Sequence, residues 1–313
     1  MYKPDKTMEI FDLAIAFDWE YDNDFIDLIE KILQEESLST FIIKEHNVHD
    51  VTEKVRDRKL SFRFYLDRAS DVNPAFEELA KILSRRKIVI INPQKKVRHA
   101  IDKASMHLEF INAGLNVPYS IIIPPHSELE EIKLTIEDLS ILGRPFIIKP
   151  CNTTGGGVGV VTGAETLREI FQERVTNSND KYLLQEKIYP TMLEGRRAWF
   201  RCFWAFGKPV AVWWDDLTHL YEELSEEEMI NYGLKKLLQK TRTIAKITEL
   251  DFFSTEIVLN NKNLFVVIDY VNDQCDMRIK SKHFDGVPDN VVNQIIHNLK
   301  NYIIKTKRLE SII

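Results

Sequence analysis

The segment Phe146-Ile147-Ile148-Lys149-Pro150-Cys151-Asn152-Thr153-Thr154-Gly155-Gly156-Gly157-Val158-Gly159-Val160-Val161 has a lysine at the end of an apolar run, then a polar loop rich in glycine, then a second apolar run. The pattern is strand-loop-strand rather than strand-loop-helix. Its chemistry suits a phosphate. Glycines let backbone N–H groups approach an anion closely, Thr153 and Thr154 add hydroxyl donors, and Lys149 adds a compact positive charge. Two familiar phosphate motifs fail on spacing. G-x-x-x-x-G-K-S/T is absent, and a G-x-G-x-x-G begun at Gly157 and Gly159 meets Thr162 where its third glycine belongs. A hairpin turn without any ligand would use the same glycines, so the segment alone leaves both readings open.

Upstream, apolar runs at about 9–17, 38–44, 60–66 and 87–91 alternate with segments of helical spacing. Asp24–Glu36 lines up Phe25, Leu28, Ile29, Ile32 and Leu33 on one stripe, and Pro74–Ser84 does the same with Phe76, Leu79, Ala80 and Leu83. This alternation predicts a small parallel sheet flanked by helices. Pro93 closes the unit, and Lys95, Lys96, Arg98 and His99 read as a solvated connection or an anion site. A helix over 100–113 stopped by Gly114, a strand through 117–123 and a helix near 129–142 lead up to the glycine loop. Beyond it, strands are expected at 181–188, 198–206, 209–214, 252–260 and 264–271, with a long charged helix over 222–246 and a C-terminal helix over 291–305. The second part is thus α+β with antiparallel strands.

The 313 residues are 44% apolar and 29% charged, which is ordinary for a folded, soluble chain with a full core. Forty-eight acids against 42 lysines and arginines give a formal charge of −6, so no global positive field draws the chain to nucleic acid or anionic lipid. Cys151, Cys202 and Cys275 fit neither a disulfide framework nor a zinc-ligand spacing, and point to a reducing compartment. The N-terminus lacks a signal-like apolar core and the longest apolar runs are strand-sized. A cytoplasmic protein with no membrane span is the expectation.

Glu256 and Asp269 lie on the two strands of a hairpin that turns at Asn260–Asn263. Two carboxylates facing each other repel unless a cation sits between them, and Mg²⁺ shared with nucleotide phosphates relieves such a pair. Asn272 and Asp273 follow and offer further oxygens. Solvated acids near a turn are the plain alternative. Tyr182–Ile188 is an apolar strand that turns polar before Pro190, which suits either backbone recognition of a flat base or a blunted edge strand.

In order and spacing these residues resemble the ATP-grasp superfamily over roughly Ala100–Arg278. The resemblance implies an α/β and α+β chain. A small parallel α/β (pre-ATP-grasp) domain at 1–95 would precede an ATP-grasp domain at 96–313, with lobes at about 100–185 and 186–313. It implies ATP and Mg²⁺. Ile101-Asp102-Lys103, followed by Phe110 to Pro118, resembles the D-K segment, helix and G-x-x-V-P strand, which makes Lys103 the first nucleotide lysine and Lys149 the second. Thr153, Thr154, Gly155, Gly156 and Gly157 would cover the phosphates, while Gln185, Glu186, Lys187 and Ile188 match the hinge that reads adenine. Arg201 resembles the arginine of the D-x-R strand, and Glu256 and Asp269 fall at the metal acids.

The chain departs from this pattern at three places. Trp199 stands where an acid is expected two residues before Arg201, leaving Glu194 as a substitute nucleotide contact. Asp269-Tyr270-Val271-Asn272 is one residue longer than E-x-N, so Asn272 reaches the metal face only through a bulge or turn. Ser254 and Thr255 replace an arginine before the first metal acid, for which Arg278 or Arg201 could compensate.

The implied activity is ATP-dependent ligation, in which a carboxylate becomes an acylphosphate that an amine attacks, releasing ADP and phosphate. Arg201, Lys149 and Arg278 are the catalytic candidates. Together with Arg196, Arg197, Lys280, Lys282 and His283, Arg201 and Arg278 could form a cationic wall for an anionic small molecule or peptide. A kinase resembling the inositol polyphosphate kinases and a nucleotide-binding module without turnover are the alternatives, and a homo-oligomer stays open. Cys275 is a poor nucleophile candidate, having no sequence-adjacent histidine.

Overall fold

The computed structural model describes residues 8–152 and 159–310, and the chain divides into two compact units. The first gathers the chain up to Pro93, Ala205–Lys208 and the segment from Asp276 onward; the second is Gln94–Trp204 with Pro209–Cys275. Thr153, Thr154, Gly155, Gly156 and Gly157, read above as a phosphate loop, lie outside the described residues. Among the described residues no helix is long and apolar enough to cross a membrane.

In the first unit, β1 (Glu9–Phe17), α1 (Asn23–Gln34), β2 (Thr40–Ile43), α2 (Glu45–Arg56), β3 (Leu60–Arg68), α3 (Glu77–Leu83) and β4 (Val89–Ile91) follow in turn. The strands lie in the order β2-β1-β3-β4 and every pairing is parallel. Leu13–Phe17 are all 4% exposed or less, the continuous burial of a strand covered on both faces. Ala14 and Ala16 pack with Val48, Val51 and Val55 of α2 and with Phe76, Leu79 and Leu83. Leu13 and Phe64 sit side by side on the other face, where Phe64 meets Tyr302 of the C-terminal helix Asp289–Glu310 edge-on at 6.0 Å. Each fully buried valine, leucine or phenylalanine among them contributes roughly 2 kcal/mol. Asp22 and Arg68 are joined inside the unit by two 2.8 Å bonds, at 2% and 4% side-chain exposure.

The second unit opens with α4 (Gln94–Ala100) and α5 (Lys103–Asn112), then β5 (Ser120–Ile123), α6 (Ile136–Leu142), β6 (Phe146–Pro150), β7 (Val161–Ala164), α7 (Leu167–Thr176) and β8 (Tyr182–Glu186). The basic segment at 95–99 is therefore not a linker. Val97 and Ala100 are buried in the core of this unit, so the segment forms a helix that exposes its charges on the other side. The sheet β5-β8-β6-β7 is antiparallel throughout, with β6 and β7 flanking the glycine loop as the expected hairpin. A second sheet follows later in the chain. It comprises β11 (Trp199–Ala205), β12 (Lys208–Trp214), β13 (Tyr221–Glu223), β14 (Phe252–Leu259) and β15 (Phe265–Asn272), in the order β13-β12-β11-β14-β15, and a two-stranded ribbon of β9 (Met192–Leu193) and β10 (Arg196–Arg197) precedes it.

The long helix expected over 222–246 is interrupted. Tyr221–Glu223 pairs with β12, Ser225 caps α8 (Glu226–Asn231) by accepting from the Glu228 N–H, and Gly233 at φ 66° turns the chain before α9 (Lys235–Thr248). Its charge-rich composition masked a cap and a glycine stop.

Candidate functional site

The site begins with the register of β14 and β15. From the turn inward, Leu259 pairs with Phe265, Val258 with Val266 and Ile257 with Val267, so an unbroken ladder would set Glu256 against Ile268. It does not. A one-residue shift puts Asp269 opposite Glu256, and a second puts Asn272 opposite Ser254. Directly opposed residues share a sheet face, and so do Ser254 and Glu256, two apart on β14. Glu256, Asp269 and Asn272 therefore share one face, and the bulge supplies the extra residue that separates D-x-x-N from E-x-N. Phe253, Ile257, Phe265, Val267 and Tyr270 belong to the core.

Trp199 and Arg201 on neighbouring β11 reach this face. An Arg201 guanidinium nitrogen (Nη2) lies 2.6 Å from Glu256 Oε1, and the Trp199 indole N–H donates to Oε2 at 2.9 Å. Arg201 also approaches Ser254 Oγ at 3.4 Å and packs over the Trp214 ring at 4.6 Å. Burial works to lower the Arg201 pKa, but the field of Glu256, with Tyr221 and Asp269, raises it above the ordinary arginine value.

Lys149 comes from the other sheet, at the end of β6. Its ammonium donates to the carbonyl of Ile268 at 3.1 Å, the extra residue of the first bulge. Burial lowers its pKa, Asp269 and Glu256 oppose that shift, and Lys103 adds to it. Lys149 is thus close enough to Lys103, Glu256 and Asp269 to feel each of them. Lys103 is carried at the start of α5, where Asp102 caps the helix by accepting from Ala104 and Ser105 N–H and pairs with Lys181 at 2.6 Å. The Lys103 N–H donates to Cys151 O, which ties this helix start to the end of β6.

The hinge residues divide. Gln185 is buried, is paired to β5 and β6 on both sides, and donates through Nε2 to the Tyr270 hydroxyl. Glu186 accepts the Tyr119 N–H through its carboxylate and donates its own N–H to Tyr119 O. Lys187 and Ile188 follow the end of the strand, with the Lys187 ammonium 5.9 Å from the Tyr189 ring. Glu194 occupies the tip of the β9–β10 ribbon with Gly195, both at positive φ, and hydrogen-bonds Tyr232.

The cationic wall does not hold for Arg196 and Arg197. Arg196 is paired with Glu228 and Glu222 and lies over Trp213, while Arg197 makes two bonds of 2.7 and 2.8 Å to Asp216. Arg278 belongs to the first unit, where it pairs with Asp276 and Asp285 and lies 5.9 Å from Trp19. Trp214 and Tyr270 were not among the expected site residues, since the partners they meet are distant in the chain. Cys275 is buried and donates to Asn272 O at 3.5 Å, as a structural thiol does.

A search of solved structures matches this architecture with probability 1.00 to a RimK-domain ATP-grasp protein from Sphaerobacter thermophilus, at TM-score 0.62 and 15% identity, covering 93% of this chain and 98% of that one. The chain has the ATP-grasp fold. D-alanine–D-alanine ligase from Bacillus anthracis complexed with ATP, itself similar over 96% of this chain and 99% of that one, has TM-score 0.62 at 13% identity. The macrocyclase MdnC from Microcystis aeruginosa, bound with its precursor peptide, has TM-score 0.62 at 8% identity over 94% and 99%. No protein-family model matches the chain, and no curated protein matches it.

Set on the ATP-grasp fold, the donor set fits a divalent cation held jointly with phosphates. Among the described residues no group of three or more His, Cys, Asp or Glu side chains could cage a metal alone. Two acids and one amide oxygen on one face are what Mg²⁺ uses when substrate phosphates complete its shell. Each Glu256 oxygen keeps a lone pair beyond those engaged by Arg201 and Trp199.

Proposed function

We propose that the chain is an ATP-dependent ligase that activates a carboxylate for attack by an amine. What carries this reading is the doubly bulged register that sets Glu256, Asp269 and Asn272 on one face beside Arg201 and Lys149. Phosphoryl transfer asks a protein mainly for positioning and charge neutralisation. Lys103 and Lys149 would neutralise the phosphates, the segment Thr153–Gly157 would cover them, and Lys187 and Ile188 would meet the base at the free end of β8. Glu256, Asp269 and Asn272 would hold Mg²⁺, which when bound supplies further neutralisation of phosphate oxygen. Arg201 would steady the charge on the transferred group. Residues 1–95 are read as the preceding α/β domain and 96–313 as the catalytic one, of which the segment from Asp276 onward packs into the first compact unit.

The acceptor is a carboxylate on a small molecule or a peptide. Fold neighbours include a ligase complexed with a precursor peptide and AMPPNP, a D-cycloserine synthetase and the D-alanine–D-alanine ligase. Incubating the chain with ATP, Mg²⁺, hydroxylamine and a panel of amino acids and peptides tests the reading. A ligase releases ADP and yields a hydroxamate from its true substrate. ADP released with a stable phosphoester instead would establish a kinase.

A further inference from the structure

We propose that Trp199 is a positioning residue, whose indole N–H holds Oε2 of Glu256 so that the carboxylate keeps its orientation when Arg201 leaves Oε1 for an incoming anion. The inference rests on the nucleotide reading above and goes beyond it.

The two grips on Glu256 differ in kind. Arg201 is a cation with five N–H donors, of which one meets Glu256 closely, one reaches Ser254 only at 3.4 Å, and the Nε–H has no hydrogen-bond partner among the described residues. Such a group gains by turning toward a phosphate or carboxylate that fills its fork. Trp199 has a single donor and no charge. Its ring is backed by the Arg197 guanidinium at 6.0 Å, and Arg197 is itself clamped by Asp216. An indole held on that side has no comparable reason to move.

The residue type follows from the same geometry. An acid at position 199 would add a third carboxylate beside Glu256 and Asp269 and would need to share a proton to bond Oε2. A lysine or arginine would neutralise Glu256 permanently and compete with a metal ion. Phenylalanine would leave Oε2 without its bond. Only a neutral donor orients the carboxylate and still leaves its charge for a cation.

The test uses ADP and Mn²⁺, with free Mn²⁺ read by electron paramagnetic resonance. In Trp199→Phe, metal-free ADP affinity should stay within twofold of the unaltered chain, whereas Mn²⁺ affinity for the ADP complex should fall about tenfold, the worth of a hydrogen bond to a charged group. Trp199→His, which restores an N–H, should recover part of that loss. A purely structural role would instead weaken metal-free ADP binding as well and would overturn the proposal. So would Mn²⁺ affinity in Trp199→Phe within twofold of the unaltered chain, while the nucleotide reading survived. An unaltered chain that binds neither ADP nor Mn²⁺ would remove both. Independently of any change at 199, the ¹⁵N–¹H spectrum of the five indoles should show one cross-peak displaced by Glu256→Gln. If no indole signal moves, the proposal fails.

Discussion

The ammonium of Lys149 donates to the carbonyl of Ile268, 119 residues further along the chain, and so ties the end of β6 to the bulge beside Asp269. On the function proposed above, Lys149 has two duties, to hold the bulged strand and to face an anion. Lys149→Met removes both the donor and the charge. ATP affinity should fall at least tenfold by isothermal titration, with a stability loss of about 1 kcal/mol from the missing hydrogen bond. Unchanged ATP affinity would take Lys149 out of the site.

Glu256→Gln keeps the shape and an acceptor oxygen but removes a charge shared with Arg201 and facing Asp269. Turnover of ATP to ADP should fall by a hundredfold or more, while nucleotide binding without metal changes little or tightens, because Arg201 is released. Turnover within threefold of the unaltered chain would contradict the metal assignment.

The Asp22–Arg68 pair lies in the first unit, whereas Lys103, Lys149, Arg201, Glu256 and Asp269 belong to the second. Asp22→Ala leaves the Arg68 charge buried, and unfolding in urea should show a loss of about 3 kcal/mol or more. Replacing both, as Asp22→Leu with Arg68→Met, should cost less than the single change. A single variant as stable as the unaltered chain would mean that the pair is solvated.

Glu228 gives stability a pH dependence. Burial works to raise its carboxyl, but bonds from Arg196, Ser225 and Trp213 outweigh this and hold it at about 2. A depressed folded-state pKa means the contribution is complete above the ordinary value of 4.5 and is lost as pH falls toward about 2. Glu228→Gln should lower the thermal midpoint at pH 6 and flatten its fall across that acid window. Parallel melting-point curves for the two proteins would refute the coupling.

Much of the architecture was legible from residue pattern. The parallel sheet could be read from buried runs such as Leu13–Phe17, and the hairpin around the glycine loop from a lysine-terminated strand. The misreadings have a common cause. The segment 95–99 looked like a linker because its charges outnumber Val97 and Ala100, the two residues that anchor it. The stretch 222–246 looked like one helix because a short edge strand, a serine cap and Gly233 leave little trace in apolar periodicity. Arg196 and Arg197 looked available because Glu228 and Asp216 lie 32 and 19 residues away.

Apolar period and turn chemistry act over a few neighbouring residues, and they were enough to end a strand at Lys149 and to place Glu256 and Asp269 on paired strands, whereas Arg201 was singled out only by the ATP-grasp resemblance. Which face those acids share was decided by folding. Two single-residue bulges turn Asp269 and Asn272 toward Glu256, where strict alternation would have offered Ile268 and Tyr270. The grip of Trp199 and Arg201 on Glu256 likewise came from the lateral order β11-β14-β15. A side chain finds its partner through packing across strands, and residues 57 apart in sequence meet only once the sheet has closed that distance.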